Sequence, residues 1–441
     1  MISPTSLDLF ALFDARTGPV TSLVDIEVPG VRWASQGEVC ETAGFGLASG
    51  APATAGCSFA TQSDARVPAM GEAIERYCGH LINHRQLVWS TWREFCTAGV
   101  EAVDPNALAL FRNSQLDRPG FPFSGLGPDD LASWVLGADF DGAPVWVPSA
   151  LVWLAAGPQS LGADGRHITL PINAGIAAGA RRSDAVAHGL REVVERHALA
   201  QAWHDGRTFP RLLGLPIAEH FTAYCVPNRW NLPIVLAAYR DSQLLSFGCA
   251  HSYSWPIAAT KACTEAALMA RTTSLIDSGE LDWHRPAGPL APWRGDRAYL
   301  RCYADDYGNV TDVTCHAQLL LDPDMQALVG TRLGSPTDGI LVAELPDICA
   351  GVVRTSPTER NESTNRQDVS HHAVLSGVLR ADGLAPVVVD LTTPDVAQCG
   401  VHVVRVVVPG LRSTAPGAFP FLGDGFEPLP KMPCLLPVPH V

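Results

Sequence analysis

Lysine is nearly absent from these 441 residues: Lys261 and Lys431 are the only two, and arginine supplies the other basic side chains. A phosphate-binding loop of the form Gly-x-x-x-x-Gly-Lys-Ser/Thr needs lysine directly after glycine, and neither lysine has that setting. If the chain binds ATP, it does so without that loop. The twelve cysteines never fall in Cys-x-x-Cys spacing. That argues against structural zinc and leaves reduced, mostly buried thiols as the expectation. No apolar run approaches the roughly 18 residues of a membrane helix. The start, Met1-Ile-Ser-Pro, lacks the basic region and apolar stretch of a signal peptide. A soluble, cytoplasmic protein is therefore expected. Positive charge is also short overall: the net charge of −14 repels nucleic acid and argues against a DNA or RNA partner.

What is present suits a packed enzyme. With 47% hydrophobic and 17% charged residues, the chain has ample material for a core and too little polarity for disorder. Its length suggests two or three structural units, or one large α/β enzyme with insertions. The helical period predicts helices over about Asp64–Arg85, Ser183–Asp205 (with Ser183 as N-cap) and Pro256–Asp277. Alternation predicts a hairpin of Ala132–Gly137 with Pro144–Pro148, and strands at Leu232–Tyr239, Leu244–Cys249, Pro386–Asp390 and Val401–Val408. Ala48–Ser58, Ser278–Arg297 and Arg354–Asp368 read as loops. From Phe426 onward the prolines predict an extended tail. Hairpins among the helices favour an α+β, or mixed α/β, fold over a strict βαβ array.

One short pattern occurs twice, 120 residues apart: Glu72-Ala-Ile-Glu75-Arg76 and Glu192-Val-Val-Glu195-Arg196. On a helix, positions i, i+3 and i+4 share a face, so each copy projects two carboxylates and a guanidinium together. A single copy on a surface would be an ordinary ion pair worth about 0.3–0.5 kcal/mol. Two copies with apolar neighbours (Ala73, Ile74, Val193, Val194) point to packed helices. Four carboxylates near a core need neutralising, and two arginines do not suffice. Hard divalent cations such as Mg²⁺ would serve, and Mg²⁺ commonly bridges to phosphates, so nucleotide binding follows as a hypothesis. A third stretch, Lys261-Ala-Cys-Thr-Glu265 through Arg271, again puts an acid and bases on an apolar helix. A snorkelling lysine and a partly exposed pair would explain it equally well.

These segments resemble the three motif regions of the YcaO family. The first is Ala65 to Tyr77. The second is Asn173-Ala-Gly175-Ile-Ala177-Ala-Gly179 followed by Gly189 to Arg196. The third is Ala258 to Ala266, and Val387–Thr392 with Val404–Gly410 resembles the family's last strands. The resemblance covers roughly residues 55–440 and rests on the order and spacing of the motifs. It implies a YcaO-like fold, with pseudo-repeated helix and sheet units around an ATP cleft, and suggests a division into residues 1–55 and a catalytic unit of residues 56–441. It implies ATP and Mg²⁺ as cofactors, with Glu72, Glu75, Glu192, Glu195 and Glu265 as metal and nucleotide ligands. Arg76, Arg196 and Arg271 are the implied phosphate contacts, with Asn173 and Ser58 as further nucleotide contacts. Three positions depart from the family pattern. Gly56-Cys57-Ser58 replaces Gly-Lys-Gly, Pro68 stands where serine is frequent, and His197 stands where aspartate is common; a core role is expected for that histidine.

The resemblance further implies ATP-driven phosphorylation of a peptide amide oxygen. In the azoline-forming branch a Cys, Ser or Thr side chain attacks the preceding carbonyl and phosphate then leaves. Members of that branch tend to end in Pro-x-Pro-x-Pro with the terminus at the active site. The end of this sequence, Leu436-Pro437-Val438-Pro439-His440-Val441, is close to that motif but incomplete. Pro437, Pro439 and Val441 are accordingly the candidates for a catalytic tail. Thioamide and macroamidine formation share the ATP site and stay open, as do a non-catalytic peptide-binding scaffold and an ATP-independent hydrolase with paired acids. The implied partners are a ribosomal precursor peptide (leader plus core), a ThiF-like or leader-recognition protein, and a flavin dehydrogenase in the same complex, within an oligomer.

Overall fold

The computed structural model describes residues 9–40, 53–155, 157–162, 164–280, 288–335, 339–346 and 373–440. Three sheets and three long helices alternate around a ring. The first sheet is antiparallel: β1 (Val20–Asp25), β2 (Trp33–Val39) and β3 (Ala53–Ser58). The second runs in the order β4 (Val88–Ser90), β5 (Ala132–Asp139), β13 (Val387–Asp390), β14 (His402–Val407), β7 (Ile176–Gly179), with β6 (Pro144–Pro148) also paired to β5. The third runs β11 (Leu245–His251), β10 (Ile234–Arg240), β9 (Phe221–Cys225), β8 (Arg211–Leu213), β12 (Gly339–Leu341); only the β8–β12 pair in it is parallel.

The long helices are α1 (Gln62–His80), α4 (Arg182–His204) and α5 (Trp255–Ser278). Shorter ones are α2 (Trp92–Thr97), α3 (Asn113–Leu116), α6 (Thr314–Leu319), α7 (Pro323–Gly330), α8 (residues 373–381) and α9 (Pro394–Gln398). Helix α1 packs between β3 and β7, α4 between the β7–β14 edge and β11, and α5 against β10 and β11 while also reaching β3. The ring therefore closes, and the polar faces of the three helices turn towards one another. This is the mixed α+β class that the strand and helix alternation indicated.

Local chemistry accounts for these elements. The Thr61 hydroxyl accepts the Asp64 N–H at 3.1 Å and starts α1, which then buries Ala65, Ala69, Met70, Ala73 and Ile74 along one side. Pro68 sits inside α1 and forgoes one helical hydrogen bond. Helix α5 has proline in its first turn, buries a stripe of alanines (Ala258, Ala259, Ala262, Ala266, Ala267, Ala270), and ends on Gly279 at φ +74°.

The structure departs from several sequence expectations. Helix α1 stops at His80 rather than Arg85. Helix α4 begins at Arg182, so Ser183 lies in its first turn instead of capping it. Ala53–Ser58, read as loop, is strand β3. Its small residues have little strand propensity; pairing with β2 and the close approach of α1 hold it straight. A Cβ on Gly56 would stand 2.2 Å from the Ala65 carbonyl oxygen and 2.8 Å from the Pro68 ring. Residues 1–55 thus contribute β1, β2 and the start of β3, a sheet against α1. The expected loop at 354–368 lies outside the described residues. Among the described residues no cysteine is paired, and no helix is long and apolar enough to cross a membrane.

Candidate functional site

The faces that meet inside the ring carry the repeated carboxylates. Four of them are fixed by the same device: one oxygen accepts a backbone N–H from a neighbouring strand or strand entry. Glu72 Oε2 takes the N–H of Ala55 in β3 at 3.2 Å. Glu75 Oε1 takes that of Ala178 in β7 at 2.7 Å. Glu192 Oε2 takes that of Gly175 at 3.0 Å, and Glu195 Oε2 that of His251 in β11 at 2.8 Å. Each carboxylate is thereby oriented by the sheet its helix packs on, which leaves its second oxygen for other work.

The arginines take some of those second oxygens. Arg76 Nη2 reaches Glu72 Oε1 at 3.3 Å, while its Nη1 donates to Asn173 Oδ1 at 2.9 Å. Arg196 lies 3.2 Å from Glu195 Oε1 and 3.8 Å from Glu192 Oε1. Both are ion-pair distances, and Glu195 Oε1 makes no aligned hydrogen bond. Glu265, from α5, completes the far side; its Oε2 is 3.1 Å from His440 Nε2.

Burial, with like charge adding to it, is visible in the acidities. Burial pushes Glu75 up to about 8, the Ala178 N–H opposing and Glu192 and Glu72 adding. Burial likewise pushes Glu195 up to about 8, against Arg196 and with help from Glu265 and Glu192. Glu192 is raised by burial too, with Arg196 and the Gly175 N–H pulling the other way. Groups in this condition bind either protons or cations. A carboxylate oxygen without an aligned partner, beside the carboxylates of Glu192 on its own helix and Glu265 on α5, fits a hard divalent ion held by oxygen ligands.

The structure brings together Glu72, Glu75, Arg76, Asn173, Glu192, Glu195, Arg196 and Glu265. It does not bring Arg271 there. Six positions past Glu265, it lies about 240° round the helix, and its Nη1 donates to the Glu27 carbonyl at 3.3 Å. Ser58 sits at the end of β3 remote from Ala55, where its hydroxyl accepts the N–H groups of Ala60 and Thr61. His197 is a core residue as expected: Nε2 lies 3.1 Å from Glu427 Oε2, and Nδ1 accepts the Arg412 N–H.

The proline-rich tail is docked rather than solvated. Pro437, Val438, Pro439 and His440 are all buried. Trp203 Nε1 donates to the Leu436 carbonyl at 2.7 Å, and His204 and His316 bond the carbonyls of Cys434 (2.7 Å) and Val438 (2.8 Å). The tail ends against Glu265; Val441 itself lies outside the described residues. Two contributors escaped the sequence reading. His440 carried no local signal. Arg405, in β14, is 1% exposed and donates to the carbonyls of Leu151, Ile172, Asn173 and Ala174, which fixes the segment bearing Asn173. A lone arginine in the apolar run Val401–Val408 was its only hint.

Comparison with known proteins adds the following. A family model described as "YcaO cyclodehydratase, ATP- and Mg²⁺-binding" matches residues 58–412. Among solved structures, a heterocyclase in complex with substrate and cofactor has a TM-score of 0.64 at 18% identity, over 91% of this chain and 51% of its own. The chain thus spans about half the length of that heterocyclase. The YcaO protein of Methanopyrus kandleri, bound with AMPPCP and Mg²⁺, has a TM-score of 0.58 at 19% identity, over 89% of this chain and 86% of its own. The E. coli microcin synthetase McbBCD complex with pro-MccB17 bound includes a chain with a TM-score of 0.60 at 12% identity, over 97% of this chain and 98% of its own. No curated protein matches the sequence.

Proposed function

The chain belongs to the YcaO family, whose members bind ATP and Mg²⁺, and from that premise we propose that it forms azoline rings from Cys, Ser or Thr residues of a ribosomally made peptide. The observation that carries this reading over its sister chemistries is the docked tail. Pro437 to His440 run buried from the end of α4 to Glu265, so the Pro-x-Pro segment borders the carboxylate cluster.

When bound, ATP supplies the phosphoryl group that turns an amide oxygen into a leaving group, with Mg²⁺ balancing its charge. The roles of the chain's own residues follow from their geometry. Glu72, Glu75, Glu192, Glu195 and Glu265 hold the cations, each kept in register by a backbone N–H or by the tail. Arg76, steadied by Asn173, and Arg196, lodged between Glu192 and Glu195, present guanidinium groups for phosphate oxygens. Pro437 and Pro439 close the cluster's far side and keep water from it. The peptide substrate arrives with a leader-recognition or ThiF-like partner; a flavin dehydrogenase in the same complex would act on the azoline product.

Co-expression with a precursor peptide followed by mass spectrometry tests the reaction. The expected result is loss of one water per ring, abolished when the core's Cys, Ser and Thr residues are replaced by alanine. Water loss that survives those replacements indicates amidine chemistry, and exchange of oxygen for sulfur indicates a thioamide; either outcome overturns the azoline reading. Glu75→Ala tests the site, since it should abolish Mg²⁺-dependent ATP binding measured by calorimetry. Unchanged binding would sink the assignment of the cluster.

A further inference from the structure

Among the described residues, His440 adds a nitrogen donor to the carboxylates of Glu195 and Glu265. It is 4% exposed, and its ring is held only loosely: the Glu265 carboxylate and the Phe247 main chain lie beside it, neither in well-aligned hydrogen-bond geometry. Its Nε2 lies 3.1 Å from Glu265 Oε2. One donor atom each from Glu195, Glu265 and His440 falls within 4.8 Å of the others. Adjacent ligands on an octahedral ion with bonds of about 2.1 Å are about 3.0 Å apart, and opposite ligands about 4.2 Å. The Nε2···Oε2 spacing is therefore that of two neighbouring ligands on one small cation.

We propose that Glu195, Glu265 and His440 form a mixed nitrogen–oxygen metal site, which takes a first-row transition ion such as Mn²⁺ in preference to Mg²⁺. This rests on the reading of the carboxylate cluster as a cation site and specifies one of its positions. Three elements contribute: Glu195 from α4, Glu265 from α5 and His440 from the tail. A site made only of carboxylates and water suits Mg²⁺, whereas an imidazole favours transition ions. A purely structural explanation, with His440 as a plug anchoring the tail, leaves its ring and Glu195 Oε1 with only poorly aligned partners in a buried setting, which is costly. An ion satisfies Glu195 Oε1 and one ring nitrogen at once.

Mn²⁺ is the probe, added to the purified full-length protein without nucleotide. Electron paramagnetic resonance of free Mn²⁺ reports affinity, and electron spin-echo modulation reports any ¹⁴N nucleus bonded to the ion. Wild-type protein should bind Mn²⁺ with a ¹⁴N coupling. The coupling should shift to the ¹⁵N pattern when the protein is made with ¹⁵N-labelled histidine, a measurement that needs no variant. His440→Gln should abolish the coupling and weaken Mn²⁺ at least about tenfold, while His251→Gln should keep the coupling. Mn²⁺ bound to the wild type without ¹⁴N coupling, or a coupling that persists in folded His440→Gln, overturns the His440 assignment alone. Wild-type protein that binds neither Mn²⁺ nor Mg²⁺·ATP overturns the cation reading with it.

Discussion

Arg405 shows how much a single side chain can fix. Burial pulls its guanidinium down to about 10, with Glu192 opposing, so it stays charged at neutral pH while its nitrogens donate to four main-chain carbonyls. Replacing it with Met strands four carbonyls in the interior, and the expected cost is about 3 kcal/mol or more in urea unfolding. Lysine should not rescue it, because one ammonium cannot span the same fork of acceptors. Since Asn173 then loses its place beside Arg76, nucleotide affinity should fall in both variants. Normal affinity in a folded Arg405→Met protein would show that the segment holds itself. At this scale the sequence was informative where spacing is local. Glu72, Glu75 and Arg76 share a face by helical geometry, and the same holds for Glu192, Glu195 and Arg196. Arg271 failed the same test: an apolar helix was legible, but its offset from Glu265 puts it on another side.

Among the elements, α5 sits very close on β11. A Cβ on Gly248 would lie 2.2 Å from the Ala266 nitrogen, 2.4 Å from the Ala262 oxygen and 2.7 Å from the Glu265 Cβ. Gly248→Ala must therefore push the alanine-striped helix outward, at a cost of about 1–3 kcal/mol, and carry Glu265 with it. Thermal unfolding should shift down, and metal affinity should drop although no ligand was touched. Retained affinity would mean that Glu265 does not depend on the helix seat. The three long helices and most core strands were legible because periodicity and β-branched runs survive in any context. β3 was not, because its strand character comes from β2 and α1 rather than from Ala-Thr-Ala-Gly-Cys-Ser. Helix ends moved for a similar reason: α4 starts at Arg182 with no side-chain cap to announce it.

For the whole molecule, the tail is held by two neutral histidines. His316 accepts the Gly417 N–H on Nε2 and so donates from Nδ1 to Val438, while His204 donates from Nδ1 to Cys434. Burial pushes both down to about 4. The unfolded chain, with ordinary histidines near 6.5, therefore takes up protons that the folded chain refuses between those values. Their contribution is complete above pH about 6.5 and is lost progressively as the pH falls towards 4, on the order of 3 kcal/mol per histidine. Protection against hydrogen exchange at residues 434–436 and 438, taken relative to the intrinsic rate at each pH, should fall over that window. Urea unfolding at a series of pH values should show the same slope, flattened in the double variant His204→Gln, His316→Gln. An unchanged slope there would exonerate both histidines.

The docked tail also has a meaning in time. Glu195 and His440 are 245 residues apart in the chain. At about 5–20 residues per second, synthesis delivers the second about 12 to 50 seconds after the first. In the later part of that interval, once α5 has been made, α4 and α5 present acidic faces that the tail has yet to meet. The nascent protein therefore carries an open, cation-hungry groove until the segment bearing His440 emerges to close it.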